Sequence, residues 1–173
     1  SKYMKIRKAQ QKDLKNIQAI EKEYYEGYSC SETVLRSWIR NGKSNFLVAE
    51  GANGKLSAFL FVEVIETIKP LPFIHKPQGK SGKYLYASDV GIPNKYAETN
   101  LLDDLFKESL RQNKGKKGVV WVTGGKSKHD KVELRLLRKE DFKRLKRIAK
   151  WEAYPNYFVN DHWIWFKRLP NRF

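Results

Sequence analysis

The clearest pattern of apolar and polar positions runs from Lys83 to Leu110. Its first part, Tyr84 to Ile92, is rich in residues that favour strands. From residue 98 onward the apolar side chains recur every three or four positions, which predicts a helix, and turn-forming residues separate the two parts. A second apolar run, Val119 to Thr123, predicts another strand. Strand, helix and strand in this order form a β-α-β unit, in which the strands are parallel and the crossover is right-handed.

A short loop between a strand and a helix leaves the first N–H groups of the helix unpaired above the end of the strand. These groups and the helix dipole together favour an anion. The stretch therefore indicates a site for a cofactor that carries phosphate.

The residues before this unit predict one strand, two helices and a β-hairpin. We expect these elements at Met4 to Lys8, Asp13 to Tyr24, Ser31 (as N-cap) to Asn41, Asn45 to Glu50 and Lys55 to Glu66. The segment Lys69 to Gly82 contains three of the six prolines, so it is either a lid over a cleft or a plain long connection.

The residues after the unit begin with a polar turn, Gly124 to Asp130. The alternating pattern of Lys131 to Leu137 predicts a strand, and Lys139 to Glu152 predicts a strongly basic amphipathic helix that Pro155 ends. Two short strands are expected at the end of the chain, Asn156 to Val159 and His162 to Arg168, joined by a turn at 160–161.

The length of 173 residues favours one domain that spans 1–173. The net charge is +16, and it is concentrated between Arg111 and Lys150, where 15 cations face 4 acids. Such a segment favours polyanions, nucleic acid or the ribosome among them, although a solvated basic surface is the commoner reason for a run of charge. No apolar run reaches the roughly 18 residues of a membrane span. The sequence carries no signal for an oligomeric state.

The single cysteine, Cys30, excludes an intramolecular disulfide and is typical of a reducing, cytoplasmic setting. No nearby cation lowers its pKa, which argues against a nucleophile. The histidines His75, His129 and His162 are scattered, so we expect no metal site.

Glu63 shares one face of its predicted strand with apolar residues such as Phe59, Phe61 and Ile65. A carboxylate among apolar neighbours is a candidate general base, because burial raises its pKa. The alternative is a charge at the solvent-facing end of an edge strand.

The order of the predicted elements resembles that of the GNAT superfamily of acetyl-CoA-dependent N-acetyltransferases over nearly the whole chain. The segments Ile6 to Leu14 and Phe158 to Leu169 look like the opening strand and the closing hairpin of that family. The resemblance implies an α+β fold: a mixed, mostly antiparallel central sheet of about six to seven strands with a parallel β-α-β unit, flanked by about four helices.

The resemblance also implies where acetyl-CoA binds. In the family the central strand ends in a β-bulge and splays from its parallel neighbour, and the pantetheine arm pairs with its edge. Gly91 is compatible with such a bulge. The pantetheine residues would be Val90, Gly91 and Ile92, and the pyrophosphate residues would be Asn94, Lys95, Tyr96, Ala97, Glu98, Thr99 and Asn100.

The phosphate loop departs from the family's pattern of Arg or Gln, two residues, Gly, one residue, and Gly or Ala. Asn94 replaces the Arg or Gln, whereas Ala97 and Thr99 stand where glycines are usual. Glu98 adds a negative charge that repels pyrophosphate.

The catalytic candidates follow from the same resemblance. Tyr154 stands near the family's tyrosine, found after the last helix, that protonates the leaving thiolate; alternatively it only packs the hairpin. Glu63, Asp89 or an ordered water would take the proton from the ammonium group, unless Asp89 only holds the bulge.

The sequence therefore favours a cytoplasmic N-acetyltransferase that transfers acetyl directly from acetyl-CoA to an amine of a small molecule or protein. Two alternatives remain: a basic nucleic-acid-binding protein, and a GNAT-fold protein that has lost the cofactor chemistry. The acceptor would lie near Tyr24 to Trp38 and Lys69 to Gly82.

Overall fold

The computed structural model describes residues 4–41, 45–67, 82–154 and 156–170. Within these ranges the chain forms seven strands and four α-helices. Their bounds are β1 Lys5–Lys8, α1 Leu14–Tyr24, α2 Glu32–Arg40, β2 Asn45–Glu50, β3 Leu56–Ile65, β4 Tyr84–Gly91, α3 Leu101–Gln112, β5 Gly118–Thr123, α4 Lys128–Lys139, β6 Lys143–Tyr154 and β7 Tyr157–Arg168. Short 3₁₀ turns precede α1 and α3, at Gln11–Asp13 and Asn94–Tyr96.

The strands form one sheet in the order β1-β2-β3-β4-β5-β7-β6. Among the described strands, β4 and β5 pair in parallel and every other neighbouring pair is antiparallel. The predicted α+β fold, with its parallel β-α-β unit and flanking helices, is therefore confirmed.

Apolar side chains on the helices attach them to the sheet. Leu14, Ile17, Ile20 and Tyr24 recur on the buried face of α1. On α2, Trp38 stacks on Phe61 of β3 with ring centres 4.6 Å apart. Ser31 caps α2 as predicted, because its hydroxyl oxygen accepts a hydrogen bond from the N–H of Val34.

Strands β4 and β5 diverge after a short paired segment. Their pairing runs from Tyr84 opposite Gly118 to Tyr86 opposite Val120. Within the described residues no later pair joins the two strands, although β4 continues to Gly91. The sheet is therefore open between the ends of its two parallel strands.

The β-bulge of β4 lies at Ser88, not at Gly91 as the sequence suggested. Phe61 pairs with Asp89 and the next residue of β3 pairs with Ala87, so Ser88 is the extra residue. Gly91 serves packing instead, since a Cβ there would lie 2.3 Å from Cε1 of Phe59.

Two predicted elements in the basic segment were wrong. The chain from Lys131 to Leu137 is part of α4, because Ser127 and Asp130 form a capping box that starts a helix at Lys128. The chain from Lys143 to Tyr154 is the edge strand β6. Register shifts near Leu145 and Ala153 insert extra residues into β6, and Leu145, which the helical spacing placed inward, is 51% exposed.

The closing hairpin also differs from the prediction. Strand β7 runs without interruption through Asn160 and Asp161, the expected turn. The pairing of the two strands instead continues to Tyr154 opposite Tyr157. Tyr154 is thus the last residue of a strand and does not follow a helix. The predicted lid lies, apart from Gly82, outside the described residues.

None of the helices in the described ranges combines the length and the apolar character needed to cross a bilayer.

Candidate functional site

The gap between β4 and β5 forms a narrow cleft. Its walls come from β4 (86–90), the end of β5 (Val122 and Thr123), α4 (His129, Asp130 and Glu133), Tyr25, and the β6–β7 hairpin (Trp151, Ala153, Tyr157, Val159 and His162). The cleft volume is about 50 Å³, room for one or two water molecules at roughly 30 Å³ each. A larger group enters only if side chains in the wall move.

Tyr25, which follows α1 directly, blocks the open edge of β4. Its hydroxyl accepts a hydrogen bond from the N–H of Val90 at 3.2 Å and donates one to Oδ1 of Asp89 at 3.0 Å. Val90 is one of the residues expected to pair with pantetheine. The N–H of Val90 is therefore available to a ligand only after the tyrosine has moved.

Asp89 belongs to a fully buried cluster beneath Tyr25. The carboxyl groups of Glu21 and Asp89 and the thiol of Cys30 lie within 4.8 Å of one another, and the two carboxyl-bearing residues are 0% exposed. Burial raises the pKa of Glu21. Burial also raises the pKa of the Cys30 thiol, which disfavours the thiolate and makes the residue a poor nucleophile.

Glu63 lies beside the cleft but outside its wall. It is 1% exposed and pairs across the strands with Tyr86, which does line the cleft. Burial raises the pKa of Glu63 to about 7, and the neighbouring Ser88 hydroxyl opposes this shift only in part. The carboxyl group is thus close to its titration point at neutral pH and is separated from the cleft by Tyr86 and Ser88.

Glu133 of α4 joins three elements around the cleft. Its carboxylate accepts hydrogen bonds from Nε1 of Trp121 on β5 at 2.6 Å and from the hydroxyl of Tyr24 on α1 at 2.8 Å. Burial raises the pKa of Glu133 to about 8 despite these two bonds. The Glu133 side chain therefore connects α4 both to the end of α1 and to β5.

Asp130 fixes the connection between β5 and α4. Its carboxylate accepts hydrogen bonds from the N–H groups of Gly124, Lys126 and Ser127 and from the Thr123 hydroxyl. Although burial acts in the opposite direction, these bonds keep the pKa of Asp130 low. Asp130 is thus a charged support for the helix start.

His129 stands where the cleft meets a second, larger cavity. Its ring lies between Tyr24 and Tyr25, with centroid distances of 5.2 and 5.5 Å. Burial lowers the pKa of His129 below 6.5, so the ring is neutral at pH 7. Its Nδ1 is buried and makes no hydrogen bond with a described residue. A neutral imidazole with an unused nitrogen can accept a proton.

The second cavity has a volume of about 430 Å³, within the usual range for ligand sites. It lies between the 92–98 segment and α4. Its charged residues divide into three acids, Glu23, Glu26 and Glu98, and three cations, Lys128, Lys131 and Arg135. Arg135 donates a hydrogen bond to the carbonyl of Ala97 and so joins α4 to the loop.

Several main-chain N–H groups of the predicted phosphate loop donate hydrogen bonds to other groups of the protein. The N–H of Asn94 bonds Oε2 of Glu23, and that of Leu101 bonds the Thr99 hydroxyl. The N–H groups of Tyr96, Ala97 and Thr99 bond loop carbonyls, as is usual in 3₁₀ turns. Four of the seven N–H groups of the 94–100 loop are therefore already bonded within the protein.

Sequence reasoning missed His129 and Glu133 as residues of the site, and it placed Tyr25 only in the range expected near the acceptor. The incorrect strand at 131–137 hid the face of α4 that carries His129 and Glu133. The signal that could have found them is the pair Ser127 and Asp130, a capping box that starts a helix at Lys128.

Neither a protein-family model nor a curated protein sequence matches this chain. Solved structures do match it over nearly its full length. NAA60 from Arabidopsis thaliana, in complex with a bisubstrate analogue, has a TM-score of 0.76 at 12% identity and covers 98% of this chain and 99% of its own. An acetyltransferase of the GNAT family from Streptococcus pneumoniae has a TM-score of 0.67 at 15% identity, covering 96% and 99%.

The ribosomal-protein-S18-alanine N-acetyltransferase from Escherichia coli has a TM-score of 0.70 at 14% identity, covering 95% and 93%. The chain has the GNAT fold. The likeness extends over almost all of each chain, and two of these three neighbours are described as acetyltransferases.

Proposed function

We propose that this protein is an N-acetyltransferase that uses acetyl-CoA. The observation that carries the proposal is the open edge of β4 beyond Tyr86, which adjoins a cavity of about 430 Å³ between the 92–98 segment and α4. A ligand that pairs with a strand edge and ends in charged groups fits that combination. The proposal also rests on the likeness to NAA60, whose solved structure contains a bisubstrate analogue.

The residues present fit acetyl-CoA in part. Main-chain groups of Val90, Gly91 and Ile92 would hold the pantetheine arm once Tyr25 has moved, and the 94–100 loop would face the pyrophosphate. The internal bonding of four loop N–H groups and the charge of Glu98 weaken the loop as a phosphate site, whereas the cations of α4 strengthen the cavity. Bound acetyl-CoA would supply the acetyl group as a thioester that an amine attacks directly.

Two groups near the cleft are suited to remove a proton from the acceptor ammonium. Glu63 has a pKa of about 7 and would act through a water or the Ser88 hydroxyl. His129 lines both cavities and is neutral at pH 7. Asp89 is engaged by Tyr25 beneath the cleft, which favours a positioning role for it. Tyr154 remains the proposed acid for the leaving thiolate.

The acceptor would be an amine of a small molecule or a protein, near the end of α1 and the beginning of α2. A cytoplasmic setting is proposed as well, in keeping with Cys30 as a buried free thiol.

Titration calorimetry with CoA and acetyl-CoA tests the proposal, followed by thiol release on a panel of small amines and peptides. We expect micromolar binding and turnover of at least one acceptor. No binding at millimolar cofactor would rule out the proposal. Binding without turnover on the whole panel would favour the GNAT-fold protein that has lost its chemistry.

A second candidate function, nucleic-acid binding, is favoured by strand β6. Its exposed cations are Lys143, Arg144, Lys146, Arg147 and Lys150, and Lys150 lies over the ring of Phe158, which is 56% exposed. Cations beside an exposed aromatic ring suit a single-stranded nucleic acid. Binding to a single-stranded RNA that weakens steeply with salt would support this function, and salt-independent binding would oppose it.

A further inference from the structure

Helix α4 presents a row of cations to the larger cavity. Lys128, Lys131 and Arg135 are three and four residues apart, so they lie along one face of the helix. All three are exposed and line the cavity. Among the described residues, no carboxylate forms an ion pair with any of them. Their charges are thus available to a ligand.

The opposite wall is a poor partner for phosphate. The N–H groups of Asn94, Tyr96, Ala97 and Thr99 are already bonded within the protein. A main-chain phosphate cradle needs several N–H groups that point at the anion together. Four of the seven N–H groups of the 94–100 loop are therefore occupied, and the cationic side chains of α4 supply further donors on the other side of the cavity.

We infer that Lys128, Lys131 and Arg135 bind the phosphate groups of the cofactor, in place of the main-chain N–H groups of the 94–100 loop. The inference rests on the proposed function, because it requires that a phosphate-bearing cofactor enters this cavity. Guanidinium and ammonium groups bind phosphate through charge-assisted hydrogen bonds, which are stronger than neutral ones. A loop without glycine is then sufficient, since the loop only shapes the cavity.

The cavity also contains acidic side chains, whose negative charge acts against the binding of phosphate. Glu23 is held by the N–H of Asn94 and supports the loop. Glu98 faces the same cavity as the three cations without an ion-pair partner among the described residues. Its charge opposes a bound phosphate, so its removal should strengthen binding.

Calorimetry with CoA, and separately with pantetheine as the phosphate-free probe, tests the inference. The triple variant Lys128→Gln, Lys131→Gln, Arg135→Gln should bind CoA about 10- to 100-fold more weakly. Its affinity for pantetheine should stay within about twofold. The variant Glu98→Gln should bind CoA about two- to fivefold more tightly.

The control variant Lys107→Gln, Lys114→Gln, Arg138→Gln removes the same charge from exposed positions outside the cavity. It should retain CoA affinity within about threefold, which separates local contacts from the overall positive field. Because Arg135 also bonds Ala97, the double variant Lys128→Gln, Lys131→Gln leaves that contact intact and should still lose about tenfold.

The possible results separate the two proposals. If the wild type binds no CoA, the proposed function fails and this inference fails with it. If the wild type binds CoA and the α4 variants bind it equally well, or lose no more than the control, the inference alone is overturned. An equal loss of pantetheine affinity would also overturn it, because pantetheine has no phosphate.

Discussion

The hydroxyl oxygen of Tyr25 lies 3.2 Å from the backbone nitrogen of Val90 and accepts a hydrogen bond from its N–H. The same hydroxyl donates to Asp89. One side chain thus supports the β4 bulge and covers the strand edge at which a cofactor would pair. A cofactor that pairs with this edge must therefore break hydrogen bonds that stabilise the folded protein.

Tyr25→Phe should destabilise the protein by about 1–3 kcal/mol, because it removes a hydroxyl that accepts a hydrogen bond from a buried N–H and donates one to a buried carboxyl oxygen. Urea unfolding measures the change. Tyr84→Phe, on β4, is the matched control: it removes a hydroxyl from a half-buried ring beside Phe166 and should cost less than about 0.5 kcal/mol. Equal losses in the two variants would contradict the role assigned to Tyr25.

Glu63→Gln should make the protein more stable at pH 8 than the wild type and little different at pH 5. The pKa of Glu63 is raised by burial from its ordinary value of 4.5 to about 7. The unfolded chain therefore releases this proton first, and the folded wild type loses stability as the pH rises from about 4.5 to about 7. The full difference amounts to at most about 3 kcal/mol.

Urea unfolding of both proteins at pH 5, 6, 7 and 8 checks this expectation. The other carboxyl groups titrate in both proteins and cancel in the difference. A stability difference that does not change with pH would show that Glu63 ionises normally in the folded state.

The pH dependence of kcat/KM should identify the base. If Glu63 removes the proton, the rate rises with pH through about 7 and Glu63→Gln lowers it about 100-fold or more. If His129 does so, the rise lies below pH 6.5 and His129→Gln causes the loss. If both variants keep the rise of kcat/KM with pH, neither residue is the base, and an ordered water would accept the proton.

Gly91→Ala should destabilise the protein by about 1–3 kcal/mol. The added Cβ would lie 2.3 Å from Cε1 of Phe59 and 2.6 Å from Cγ2 of Ile20, so the core between α1 and the sheet must shift. Gly125→Ala is the control, since a Cβ there meets nothing within 4 Å. Thermal unfolding of both variants measures the difference, and an unchanged Gly91→Ala protein would contradict the packing role.

Of the candidate site, the sequence predicted the strand–loop–helix from β4 to α3 but not the position of the bulge or the side chains that α4 contributes. The strand–loop–helix from β4 to α3 was visible because its period changes from strand to helix between Ile92 and Leu101. The bulge position was not visible, because Ser88 differs from its neighbours only in register against β3. His129 and Glu133 were missed because the residues of α4 were divided between a predicted turn and a predicted strand. A short apolar run is compatible with the spacing of either a strand or a helix.

The sequence by itself determined the order of the first eight elements from β1 to β5, since each has a strong local period and clear caps or turns. It also determined that Glu63 lies on an apolar face of β3. Only the tertiary structure decided that 143–154 forms an edge strand, because pairing with β7 outweighs the helical spacing of its apolar residues. It likewise decided that Tyr25 meets Val90 and that the cations of α4 face the 94–98 loop, since such contacts join residues far apart in the chain.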